Sequence, residues 1–89
     1  MWGQRHLRYI KRRRKVLYTN LLTSSKLNAY LAALDKQAED MFFRLVKQMT
    51  GREGVTEQFK ADNQMEGVGR MNNIRNRATE IVNADLIYT

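Results

Sequence analysis

Apolar residues recur along this chain at intervals of three and four rather than two, so each segment reads as a helix with one face turned toward a core. Leu7, Ile10, Leu17 and Leu21 set the first stripe, with Arg14 standing where the seam expects another apolar side chain. This predicts a helix from about residue 4 to 22, within a basic segment 1–22, and makes Arg14 the place where it bends or breaks. Thr23, Ser24 and Ser25 follow as a stop and as N-cap candidates, because their hydroxyls can accept from the unpaired amides of the next first turn. A second helix is predicted over 24–50, on a stripe of Leu27, Leu31, Leu34, Ala38, Met41, Leu45 and Met49. Gly51 and Gly54, on either side of Arg52 and Glu53, offer a left-handed C-cap and a short reversing turn.

Thr56 then reads as an N-cap and Glu57 as a favourable first-turn acid of a third helix over 56–88. Its stripe is weaker: Phe59, Met65, Val68, Met71, Ile74, Ala78, Ile81, Val82 and Leu86. Gly67 and Gly69 interrupt it, each at a cost of about 1 kcal/mol relative to alanine. Either the helix is weakened near Val68 or its backbone closely approaches a neighbour there. The two long segments would run roughly 40 to 50 Å each and can pair antiparallel at about 20°. The expected fold is all-α, a single domain over 1–89: a long antiparallel helical hairpin with a basic N-terminal helix, three helices in all.

Composition narrows the function classes. Eighty-nine residues support one small core, and the absence of proline with only 9% aromatic residues argues against a small β fold. With no cysteine there is no disulfide framework, zinc thiolate cluster or thiol nucleophile. No apolar run is long enough to span a bilayer, so a cytoplasmic protein is expected; an organelle transit peptide is a minor alternative for the arginine-rich start.

Charge carries more. Residues 1–20 hold Arg5, Arg8, Lys11, Arg12, Arg13, Arg14 and Lys15 and no acid, so the net charge of +7 is one N-terminal block. In a single helix over 4–22 these cations would oppose the helix dipole, and the first turns would fray without an anion to meet them. Arg5, Arg8, Arg12 and Lys15 share one stripe, with Tyr9 and Tyr18 on neighbouring faces. Such a rod suits phosphate, which makes DNA the leading partner. An anionic membrane is the main rival, through an apolar face of Trp2, Leu7, Ile10 and Leu17, but it is ranked lower. An acidic protein comes third.

Catalysis and cofactors find no support. His6 is the only histidine and has no acid nearby to orient it, and no metal-ligand motif is present. Gly67-Val68-Gly69 lacks the third glycine and the preceding strand of a dinucleotide fingerprint. Asp35, Glu39 and Asp40 read as an exposed ion-pair surface with Lys36 and Lys47. The expectation is a non-enzyme with no cofactor, no metal and no small-molecule substrate. Arg70, Asn73 and Arg77 share a stripe in an asparagine- and arginine-rich run, either a polar seam fixing helix register or a face that reads base edges, with Asn73 and Arg77 as the candidate base contacts.

Particular strings add to this reading. Tyr9-Ile10-Lys11, Val16-Leu17-Tyr18-Thr19-Asn20-Leu21-Leu22, Arg52-Glu53-Gly54-Val55-Thr56-Glu57, Gly69-Arg70-Met71-Asn72-Asn73-Ile74-Arg75 and Leu86-Ile87-Tyr88 resemble the TnpV family of small transposon-encoded proteins over essentially the whole chain. The resemblance implies carriage on a bacterial transposon or conjugative element and brings no catalytic residue with it. Where the family pattern often has proline this chain has Lys15, and where it often has tryptophan this chain has Gly67, which implies a fused pair of N-terminal helices and a lost aromatic anchor. The resulting expectation is an accessory or regulatory protein that binds DNA through the N-terminal block. The competing class is an interaction module that dimerises or docks on a recombinase or mobilisation protein.

Overall fold

The computed structural model describes residues 1–89 and is helical throughout, without a strand. Five α-helices replace the three expected: α1 (Trp2–Arg13), α2 (Lys15–Thr23), α3 (Leu27–Arg52), α4 (Glu57–Asp62) and α5 (Gln64–Val82). A π-helical turn, Asn83–Ile87, closes the chain.

Two interruptions account for the added helices, and they share a backbone geometry. Arg14 sits at φ −130°, ψ 58° and Asn63 at φ −136°, ψ 66°, both outside the helical region. Each residue closes one helix and opens the next. The Arg14 N–H donates to the Ile10 carbonyl while its own carbonyl accepts from Tyr18, and Asn63 does the same between Phe59 and Gly67. The first two helices are therefore separate, not fused as Lys15 implied. A cation at an apolar seam position cannot follow Ile10 into the core, and turning the chain there keeps it in water.

The third predicted helix breaks at Asn63, not near Val68. Asp62 and Asn63 are poor helix formers whose side chains compete for backbone groups, and the Asn63 amide does donate to the Phe59 carbonyl at 3.3 Å. Gly67 explains the tight fold-back. A Cβ there would lie 3.2 Å from the Lys60 Cα, so only glycine lets α4 lie this close to α5.

Capping is partly as expected. The Thr56 hydroxyl accepts from the Phe59 N–H at 3.1 Å, and Gly54 takes the left-handed φ of 70° in the turn after α3. The Thr23 and Ser24 hydroxyls do not cap the next helix. They donate back to the Thr19, Asn20 and Leu21 carbonyls, Ser25 adopts a left-handed φ of 62°, and α3 starts only at Leu27.

Helices α3 and α5 lie side by side and run in opposite directions, with the Thr50 hydroxyl at the Met71 sulfur and Leu34 and Ala38 against Val82 and Ile87. Trp2 joins that last cluster from α1, covered by Met41, Phe42, Leu45 and Leu86. The N-terminal helix is thus a core element. Trp2, Gly3, His6 and Ile10 are its buried stripe, and Ile10, Ile74 and Ile87 are fully enclosed, each contributing about 2 to 3 kcal/mol of burial.

What holds α1 in place is an acid from another helix. The Asp35 carboxylate accepts from the Gly3 N–H at 3.0 Å and lies 3.4 Å from the Met1 ammonium, capping α1 from α3. The Gly3 N–H holds the Asp35 carboxyl below its ordinary value of 3.8, the ammonium adding to the effect and burial opposing it. Asp35 is therefore not part of an ion-pair surface with Lys36. The dipole argument also reverses: because α1 ends at Arg13, the cations Lys11, Arg12 and Arg13 fall in its last turn, where they are favourable.

His6 completes the docking. A carbonyl can only accept, so Nδ1–H donates to the Ile87 carbonyl at 2.7 Å, and Nε2 pairs with the Tyr30 hydroxyl at 2.7 Å. One imidazole ties three distant segments.

Candidate nucleic-acid interface

With one side of α1 spent on the core, its cations are confined to the outer flank. Arg8, Lys11, Arg12, Arg13, Arg14 and Lys15 are exposed and Arg5 is half-buried. Three of the seven have internal roles. The Arg5 guanidinium lies 5.1 Å from the Trp2 ring centre and reaches the Asn83 side-chain oxygen at 3.5 Å. Lys11 sits 5.6 Å from the Tyr18 ring across the α1–α2 break, and Arg14 donates to the Thr89 carbonyl at 2.8 Å. Arg8, Arg12, Arg13 and Lys15 make no hydrogen bond or ion pair.

No Asp or Glu side chain neutralises this flank. The four ion pairs are Met1–Asp35, Lys60–Glu57, Arg70–Glu66 and Arg77–Glu53, and none involves a cation of the block. Seven cations along about 15 Å of α1 and the start of α2 therefore have no acidic side chain beside them, and six of them are exposed. Such a field attracts anions and steers their approach.

Two concavities shape the flank. Arg5, Arg8, Tyr9, Arg12, Arg13 and Tyr88 line one of about 320 Å³, in which the Tyr9 and Tyr88 rings meet edge to face at 5.6 Å. Arg13, Arg14, Lys15, Val16, Leu17 and Asn20 line another of about 410 Å³ at the break. There the first turn of α2 carries no acid and no side-chain cap, so its free amides add to the positive potential.

The apolar face that would have met a membrane is half taken up by the core, with Leu7 and Leu17 left partly exposed. Trp2 and Ile10 are buried in the fold, and no helix is long and apolar enough to cross a bilayer.

The second half of the predicted set lies elsewhere. Asn73 is exposed on α5, nine residues before Val82 and so roughly 14 Å along the axis from the end that meets α1. Arg77 reaches across to Glu53 at the end of α3, with its Nε buried and unpartnered. Arg70 pairs with Glu66 and lies 5.1 Å from the Phe59 ring centre, spanning the α4–α5 break. Asn72, Asn73 and Asn76 face solvent, so a buried asparagine seam is absent. Sequence reasoning missed Tyr88. Its approach to Tyr9 depends on the π-helical turn, whose widened geometry leaves no spacing pattern.

A family model described as "Transposon-encoded protein TnpV" matches residues 1–87. Neither the curated proteins nor the solved structures contain a match to the chain.

Proposed function

Since the chain belongs to the TnpV family of transposon-encoded proteins, we propose that it serves its element as a non-enzymatic accessory or regulatory protein that binds DNA through the outer flank of α1 and the start of α2. The observation that carries this reading is the set of cations without an Asp or Glu partner, in a protein whose four ion pairs include none of them. Arg8, Arg12, Arg13 and Lys15 are the free phosphate ligands. Lys11, Arg5 and Arg14 adjoin them and can exchange a weak internal contact for a phosphate. Asn73 remains available for a base edge, whereas Arg77 would first have to leave Glu53.

Truncating the first fifteen residues would be a poor test, because it strips Trp2, His6 and Ile10 from the core. Charge reversal is the better one. Fluorescence anisotropy of a labelled duplex across a salt series should give log K against log salt a slope of about −4.5 to −6 for five to seven neutralised phosphates. In the double variant Arg8→Glu, Arg12→Glu, binding should collapse while the circular-dichroism spectrum stays helical. No binding at low salt would overturn the reading.

A second reading has its own support. Met65 and Val68, near the start of α5 beside α4, are 90% and 62% exposed and lie three residues apart on one face. On this reading the α4–α5 surface dimerises or docks on a recombinase or mobilisation protein. Sedimentation equilibrium separates the two: self-association that survives the charge reversal but is lost in Met65→Glu, Val68→Glu favours docking.

A further inference from the structure

Four arginines around two tyrosine rings have more specific chemistry than a cationic strip. The concavity between α1 and the C-terminal turn holds Arg5, Arg8, Arg12 and Arg13 at intervals that place them on one helix face, with Tyr9 between them and Tyr88 opposite. Tyr88 is half exposed, and neither its hydroxyl nor that of Tyr9 has a hydrogen-bond partner in the fold. By contrast, the Tyr30 hydroxyl is engaged by His6. Two solvent-facing phenols and a half-exposed ring beside three guanidiniums free of internal bonds make a site with something for each part of a nucleotide.

We propose that this concavity takes an unpaired nucleotide of single-stranded DNA, with its phosphate on Arg8, Arg12 and Arg13 and its base stacked on the open surface of the Tyr88 ring. This deepens the DNA-binding reading and rests on it. In a duplex both faces of every base are covered by neighbours, so a duplex can use only the guanidiniums. A strand with splayed bases uses the ring as well, and stacking on an aromatic side chain is tolerant of sequence. The volume, about 320 Å³, is of the order of one nucleotide.

The edge-to-face contact with Tyr9 holds the Tyr88 ring before any ligand arrives, so little rotamer freedom is lost on binding. The turn that presents Tyr88 is fixed in the same way: its amide donates to the Asn83 carbonyl at 2.8 Å, and the preceding carbonyl is held by His6. Arg5 is the least free of the four, lying over Trp2, and acts as the wall of the site rather than as its ligand.

The test uses the full chain and three labelled probes of equal length, about 20 nucleotides so as to exceed a typical single-strand site: an oligothymidine, an abasic strand with the same phosphates, and a duplex. The intact protein should bind oligothymidine more tightly than either other probe. Tyr88→Leu should lower that affinity about five- to tenfold, to the level of the abasic strand, with duplex binding unchanged. Tyr88→Phe, which keeps the ring, should retain the preference. Equal affinity of the intact protein for oligothymidine and abasic strands overturns the proposal without need of any variant, as does a Tyr88→Leu protein that binds all three probes as before. Duplex binding with a normal salt slope but no single-strand advantage removes only the pocket. Failure to bind any probe at low salt removes both the pocket and the reading beneath it.

Discussion

Asp35 and Gly3 form the smallest unit on which the fold turns. The carboxylate caps a helix that has no acid in its own first turn, and the glycine lets that helix come close enough for the cap to reach. A Cβ at Gly3 would stand 3.1 Å from the Leu31 carbonyl oxygen, which is backbone and cannot swing aside. Gly3→Leu should therefore cost about 1 to 3 kcal/mol of stability, read by urea denaturation. Asp35→Ala should cost about 1 kcal/mol at neutral pH, as loss of an N-cap does. The pH dependence has a definite sign. A carboxyl whose native pKa is lowered stabilises the fold fully above its ordinary value of 3.8 and loses that contribution as pH falls through the lowered native value. The gap between Asp35→Ala and the unaltered protein should accordingly close below about pH 3.8, and a gap that is constant with pH would show that the carboxylate charge plays no part. None of this was legible in the sequence. Asp35 sits beside Lys36 and one turn before Glu39, a pattern that reads as exposed helix, and only the crossing of α1 over α3 gives it another task.

At the scale of elements, the periodic stripes located the helices and misjudged their ends. Leu34, Ala38, Ile74, Ala78 and Val82 lie inside as their spacing required, because periodicity reports which face is buried. It is silent about where a helix stops when the stop needs no proline or glycine. Arg14 was the one visible flaw in the first stripe and marks a true break. Asn63 lies in a gap of the third stripe between Phe59 and Met65, where nothing but poor propensity signals the interruption. The two suspect glycines prove unlike each other. Gly67 is enclosed by Lys60, while a Cβ at Gly69 would meet nothing within 4 Å in the middle of α5. Gly69→Ala should thus stabilise the protein by about 0.5 to 1 kcal/mol, and Gly67→Ala should destabilise it; thermal melts with opposite shifts would check the pair. The candidate site was readable to the same depth: its cations are a local run, whereas the tyrosine that completes the pocket arrives from the other end of the chain.

The whole molecule is a rod of 55 × 20 × 17 Å with a radius of gyration of 16.7 Å, against about 12 Å for a compact chain of this length. Small-angle scattering of the monomer should give a value near the larger figure, and one near 12 Å would mean that the long helices fold back on themselves. Only twelve residues are buried, so the stability rests on a thin seam rather than a globular centre. The seam depends on contacts between the first residues and the last: Trp2 with Val82 and Ile87, His6 with the Ile87 carbonyl. During synthesis that dependence becomes a delay. The basic segment leaves the ribosome before the residues that seat it, which follow some eighty positions later, roughly 4 to 16 seconds at ordinary elongation rates. Until then seven cations travel on an undocked segment, beside ribosomal RNA and its phosphates. The nascent chain meets its first polyanion before it has the pocket with which to discriminate among them.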